Sequence, residues 1–192
     1  MSVNLAKGQK VSLDKNMTLA RIDLGWNVSS SYSNGPDFDL DAAAFILGAN
    51  GKVRNDQDFI FYGHLQSADG SITHMGDERK SGGDGEEMII DFSKIPADIQ
   101  KIAITITIYD ADKYGQNFGQ LSNAYVRVLR IASKDDVGTE VLKFNLAEEF
   151  SIETALVICE IYRNNGEWKF NAVGSGYQGG LAALCRSFGV NV

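Results

Sequence analysis

Cysteine and proline are both scarce in this chain, with two of each among 192 residues. Cys159 and Cys185 form neither a CxxC pair nor a disulfide framework, which excludes a zinc-cluster protein and a small disulfide-stapled scaffold. No stretch approaches the ~20 consecutive apolar residues that a helical membrane span requires. The opening MSVNLAKGQKVSLDKN lacks the apolar core of a secretory signal, so the protein is expected in the cytoplasm. Positive charge is also in deficit. The net charge is -7, so the chain lacks the basic surface of a nucleic-acid binder, and no nucleic-acid partner is expected. No heptad, no repeat of fixed period and no Pro- or Ser-rich linker divides the chain, so residues 1–192 read as a single domain.

What is present is an ordinary globular balance, 44% hydrophobic and 22% charged, in a chain long enough to bury a sizeable core. Strand signals dominate. Residues 101–110, KIAITITIYD, put Ile102, Ile104, Ile106 and Ile108 on one face and Thr105 and Thr107 on the other, the period-two alternation of a β-strand. Weaker versions recur at 17–24, 59–62, 87–92, 122–131 and 139–146. Residues 153–163, ETALVICEIYR, are apolar on both faces and read as a central strand. NNGE at 164–167 then predicts a hairpin turn into WKFNAV. Two segments favour helix. One is a short turn over 93–99. The other follows the glycine-rich GSGYQGG at 174–180, where Leu181, Leu184, Cys185 and Phe188 recur at helical spacing before Gly189. GSGYQGG itself lacks the ending of a phosphate-binding loop and reads as a turn. The expected fold is mainly β: a sandwich of two antiparallel or mixed sheets with short helices, one of them near the C-terminus.

The charge deficit is local. Between residues 37 and 91 stand nine Asp and three Glu against four bases, a balance of -8, while the rest of the chain is close to neutral. An arbitrary acidic stretch is usually a solvated face. Here two oxygen-rich segments occur together. Residues 37–41 read DFDLD, so in a strand Asp37, Asp39 and Asp41 share one face, which continues as Ala43, Phe45 and Leu47. Carboxylates spaced ~7 Å apart along a strand face, at the mouth of a core, are stabilised by a cation. Calcium accepts six to eight such oxygens. The second segment, DGSITHMGDERKSGGDGEE at 69–87, combines permissive glycines with Asp77, Asp84 and Glu86, a composition able to fold around an ion. Neither 37–48 nor 110–121 is an EF-hand, because the sixth or twelfth position fails in each. His64 and His74 are too isolated for a zinc site, although His74 could serve as a hydrogen-bond donor behind the ligands. Cys159, in a strand apolar on both faces, and Cys185, on the apolar face of a helix, are expected to be buried and unreactive.

These segments, DFDLDA at 37–42, GKVRNDQDFIFY at 51–62 and SADGSITHMGD at 67–77, resemble the TerD family of tellurium-resistance proteins. So do GQNFGQLSNAYVRV at 115–128, EIYRNNGEWKFNAVGSGY at 160–177 and GGLAALCRSFGV at 179–190. The resemblance covers essentially the whole chain. It implies a calcium-binding β-sandwich, with Ca2+ ligands carried onto Asp37, Asp39, Asp41, Asp77, Asp84, Glu86 and Glu87, and further candidates at Asp110 and Asn117. It supplies no motif for binding tellurite. The function expected on this basis is non-enzymatic: a calcium-binding protein of tellurite resistance and stress response, assembled with paralogous proteins of a resistance operon. The alternatives are a calcium-dependent binder of the inner membrane surface and a metal-dependent enzyme acting on tellurite.

Overall fold

The computed structural model describes residues 2–28, 37–76, 85–146 and 152–191. Twelve strands lie in these residues: β1 (Val3–Leu5), β2 (Lys10–Ser12), β3 (Leu19–Val28), β4 (Leu40–Leu47), β5 (Phe59–Ile60), β6 (Ile72–His74), β7 (Gly85–Asp91), β8 (Lys101–Ile108), β9 (Leu121–Arg130), β10 (Thr139–Asn145), β11 (Ala155–Asn164) and β12 (Glu167–Tyr177). They form two six-stranded sheets, in the orders β1-β10-β9-β3-β7-β6 and β2-β12-β11-β8-β4-β5. Every pairing is antiparallel except β1 with β10. Two α-helices, α1 (Ala111–Tyr114) and α2 (Gly180–Phe188), also lie in the described residues.

The core follows from the alternation. Ile102, Ile104, Ile106 and Ile108 of β8 meet Ile22 and Leu24 of β3 and Met88 and Ile90 of β7 between the sheets. The opposite face of β8 is buried as well. Ala103 joins Ala43, Phe45 and Leu47 of β4, Ala155 and Val157 of β11, and Leu184, Cys185 and Phe188 of α2. Thr105 is fully buried, and its hydroxyl donates to the Ala43 carbonyl at 3.3 Å, so the polar atom of the strand's second face is satisfied by the neighbouring strand. Phe45 lies at the centre of this second layer, with ring centroids 4.7 Å from Phe59 and 4.6 Å from Phe188. Helix α2 stops at Gly189, whose φ of 85° is the left-handed conformation that favours glycine and whose N–H reaches the Cys185 carbonyl.

Three expectations are corrected. Residues 93–99 form turns rather than a helix. Asp91 accepts the Ser93 amide and hydroxyl, and Arg163 donates to the carbonyls of Ile95, Pro96 and Ile99, so the groups that would build a helix are engaged elsewhere. The run GSGY is not a turn but the end of β12, where Ser175, Gly176 and Tyr177 pair with Val157, Leu156 and Ala155. The register of β11 shifts between Val157 and Cys159, and Gly174 at φ 58° gives the partner strand the freedom such a bulge needs. The strand of the DFDLD motif begins at Leu40, so Asp37 and Asp39 precede it.

The double burial of the second sheet makes Phe45 a sensitive position. Phe45→Ala is expected to lower the unfolding free energy by ~3–5 kcal/mol, the usual cost of an unfilled aromatic site. Urea unfolding measures this, and hydrogen exchange should show α2 amides opening before those of β8. A loss below about 1 kcal/mol would show that α2 does not depend on this ring.

Candidate metal site at the acidic end of the sandwich

Asp41 lies on the face of β4 that continues into Ala43 and Phe45, so it stands where the apolar cover provided by α2 ends. The segment following β8 is fastened alongside it. The Tyr109 amide donates to the Asp39 carbonyl at 2.8 Å, and the Gln116 side-chain amide donates to the Asp37 carbonyl at 3.2 Å. Between this segment and the start of α2 lies a cavity of about 450 Å³ whose walls include Asp41, Tyr62, Tyr109, Asp110 and Gly180. Burial first, and then the charges of Asp41 and Asp39 with Tyr109 beside them, push the Tyr62 phenol above its usual range. Both carboxylates therefore act on one spot. Tyr62 and Tyr109 are about half exposed and form the rim.

The other expected ligands divide. Asp110 has a left-handed backbone, φ 51°, and pairs with Lys113 at 3.2 Å on the edge of the same cavity. The side chain of Asn117 caps a short 3-10 turn: its oxygen accepts the Gly119 amide at 3.0 Å, while the Asn117 backbone N–H donates to the Gln120 side-chain oxygen at 2.8 Å. Glu86 and Glu87 do not act together, because β7 starts at Gly85 and strand alternation sends them to opposite faces. Glu86 turns into the space between the sheets and is 4% exposed. Glu87 points outward, opposite Asp23 in the register, where its charge acts on Arg21. Asp77 and Asp84 lie outside the described residues.

His74 links these parts. It is 2% exposed and sits on β6, at the root of the acidic segment. The Gly76 amide approaches Nδ1 at 3.0 Å. An amide N–H only donates, so Nδ1 is unprotonated and the ring proton resides on Nε2. That N–H faces the Ala42 carbonyl of β4 at 3.2 Å, and Glu86 Oε2 lies 3.1 Å from the same nitrogen. A single ring thus touches the entry to the acidic segment, its exit and the strand carrying Asp41. The other histidine is engaged locally, Nδ1 of His64 lying 2.9 Å from the Phe59 carbonyl.

Among the described residues no three His, Cys, Asp or Glu side chains converge closely enough to hold an ion by themselves. Asp41 and Asp110 line one cavity, and the charges of Asp41 and Asp39 both reach Tyr62 at its rim. Carboxylate oxygens suit a hard cation such as calcium and not a thiophilic one. The sequence gives no warning of a second charged centre on the outer face of the other sheet. There Asp23, 6% exposed, is held by Arg21 at 2.8 Å and Arg127 at 2.9 Å. The tyrosine rim was equally hidden, since Tyr62 and Tyr109 belong to different strand ends. Both thiols are buried as expected, and burial pushes both of them up. No helix among the described residues is long and apolar enough to cross a membrane.

Two six-stranded sheets packed face to face with two short α-helices define the class: a β-sandwich. The chain belongs to the TerD domain family, whose model matches residues 1–188. It is 50% identical to tellurium resistance protein TerD of Alcaligenes sp, over 100% of this chain and 99% of that one. It is 47% identical to general stress protein 16U of Bacillus subtilis, over the whole of both. The solved structure of a homologue of telluride resistance protein (TerD) from Streptomyces coelicolor A3(2) superposes with a TM-score of 0.66 at 20% identity, covering 88% of this chain and 95% of that one. That last likeness concerns the fold.

Buried thiols with raised pKa hold almost no thiolate at neutral pH. Neither Cys159 nor Cys185 is therefore expected to react with iodoacetamide in the folded protein at pH 7.5, and both should react once it is unfolded in urea. Mass spectrometry of the alkylated protein reads the outcome, and rapid native labelling of Cys159 would contradict the packing described above.

Proposed function

We propose that this chain is a calcium-binding, non-enzymatic protein of tellurite resistance and stress response that works in an assembly with its paralogues. Relatives named for tellurium resistance and for general stress support the biological half of this reading. The observation that supports the chemical half is the cavity beside α1 and the start of α2, which Asp41 and Asp110 line and whose rim residue Tyr62 feels the charges of both Asp41 and Asp39. In this reading Asp39 and Asp41 supply oxygens to Ca2+, with Asp77 and Asp84 completing the set from outside the described residues. Binding would neutralise a region whose sequence balance is -8 and order the end of the sandwich around the tyrosine rim, giving a paralogue a surface to dock on. The absence of catalysis is part of the proposal. It is supported by the engagement of both histidines with backbone groups and by the burial of both thiols.

A ligand that binds only the native state adds about 2.7 kcal/mol at 100 times its dissociation constant. For a chain of this size that corresponds to roughly 5–10 °C in the melting midpoint. Saturating calcium is expected to raise the midpoint by this amount, and magnesium by less, because Mg2+ sheds its water reluctantly. Asp39→Asn should reduce the calcium response while leaving the midpoint in chelator unchanged or slightly higher. Scanning fluorimetry in calcium, magnesium and chelator decides. Equal midpoints in all three would return the acidic region to the status of a solvated face. Adding vesicles of anionic lipid to the calcium arm separates the alternative reading, in which the ordered end docks on a membrane surface.

A further inference from the structure

We infer that the metal-free chain associates head to tail with a second copy of itself, a lysine patch on one copy docking at the acidic cavity of the next. The two surfaces lie at opposite ends of the outer face of the second sheet. Lys101, Tyr162 and Lys169 stand side by side across β8, β11 and β12, and Glu160, Asn171 and Lys10 form the next row. Glu160 is also opposite Ala103, which packs against α2, so both rows belong to the outer face. Lys101 holds Glu160 at 2.8 Å, and Lys15 holds Glu167 at 2.7 Å. Among the described residues neither Lys10 nor Lys169 is in an ion pair, and Lys10 Nζ lies 6.0 Å from the Tyr162 ring. Two ammonium groups thus stand uncompensated on a chain whose net charge is -7.

The opposite end of β8 carries the other sign. Thr107, about 20 Å along the strand from Lys101, is paired with Asp41. The cavity there has the carboxylates of Asp41, Asp110 and Asp112 against one base, Lys113, which is paired with Asp110 at 3.2 Å. Tyr62 and Tyr109 stand at its mouth, 48% and 51% exposed. Aromatic faces draw an ammonium group and carboxylates neutralise it, while a lysine stem packs along the rings. The two ends share one face of one sheet, so a chain cannot fold its own patch into its own cavity. A second copy can. Each contact leaves one patch and one cavity open, so growth continues unless the rotation between copies closes a ring.

Sedimentation velocity of the full chain in chelator, over a range of protein concentrations, is the test. The parent is expected to form species larger than the monomer at about 0.01 M salt. It should lose them at about 1 M, where the screening length has fallen from ~30 Å to ~3 Å. Lys10→Glu with Lys169→Glu makes both ends acidic. Asp112→Lys with Asp110→Asn makes both ends basic, and asparagine tolerates the left-handed backbone at residue 110. Each of these variants alone is expected to remain monomeric, and an equal mixture of the two should associate again. The milder pair Lys10→Gln with Lys169→Gln should weaken the association constant roughly 5–30-fold, and it carries the test if a reversal variant does not fold. A parent that stays monomeric in chelator at low salt would overturn the inference, leaving the cavity to a metal ion or to a basic segment of a different protein. Folded reversal variants that associate on their own, or a mixture that does not, would do the same. Equal melting midpoints in calcium and chelator are a separate result, which removes the calcium reading and leaves this contact in place.

Discussion

The second sheet is buried on both of its faces, and the rest of the arrangement depends on this. One face of β8 and β4 meets the other sheet, and the opposite face lies under α2. A strand buried on one side can slip by two residues and keep its pattern. A strand packed on both sides, with Phe45 stacked between Phe59 and Phe188, has one register. That register fixes where the apolar run of β4 ends, and so where Asp41 stands relative to the start of α2. The acidic end is therefore positioned by hydrophobic burial, and the carboxylates are carried to it.

Polar groups then join the layers at two places. Between the sheets, His74 bridges β6, the root of β7 and β4. On the outer face of the first sheet, Arg21 and Arg127 converge on Asp23, and Arg21 also donates to the carbonyls of Asp136 and Val137. That guanidinium fastens residues 132–138 across a small apolar cluster of Leu19, Ile89, Leu129 and Ile131. Such networks add little net stability when desolvation is counted, but they discriminate between alternative arrangements of the chain. One network sets how the first sheet is covered, and the other sets how the two sheets meet at the acidic end.

The family relationship fits this division of labour. A solved relative at 20% identity keeps the sandwich, because alternation and volume survive many substitutions in a core.

Several features could be read directly from the residues. The isoleucines of β8, the central character of β11, the Asn165–Gly166 turn and the stop of α2 at Gly189 all rest on interactions within a few residues, and local chemistry decides them. The concentration of acids between 37 and 91 is likewise a property of the chain itself. Other features required the folded molecule. A strand start two residues earlier than expected separates Glu86 from Glu87, and pairing with β11 turns GSGY from a turn into a strand. Arg163 takes the carbonyls that a helix at 93–99 would have used. Ala42 and His74 are 32 residues apart, and Asp23 and Arg127 are 104 apart. Periodicity specifies what each strand presents to its two faces, but strand order alone decides which distant groups meet, and that order is set by the burial of both sheets together.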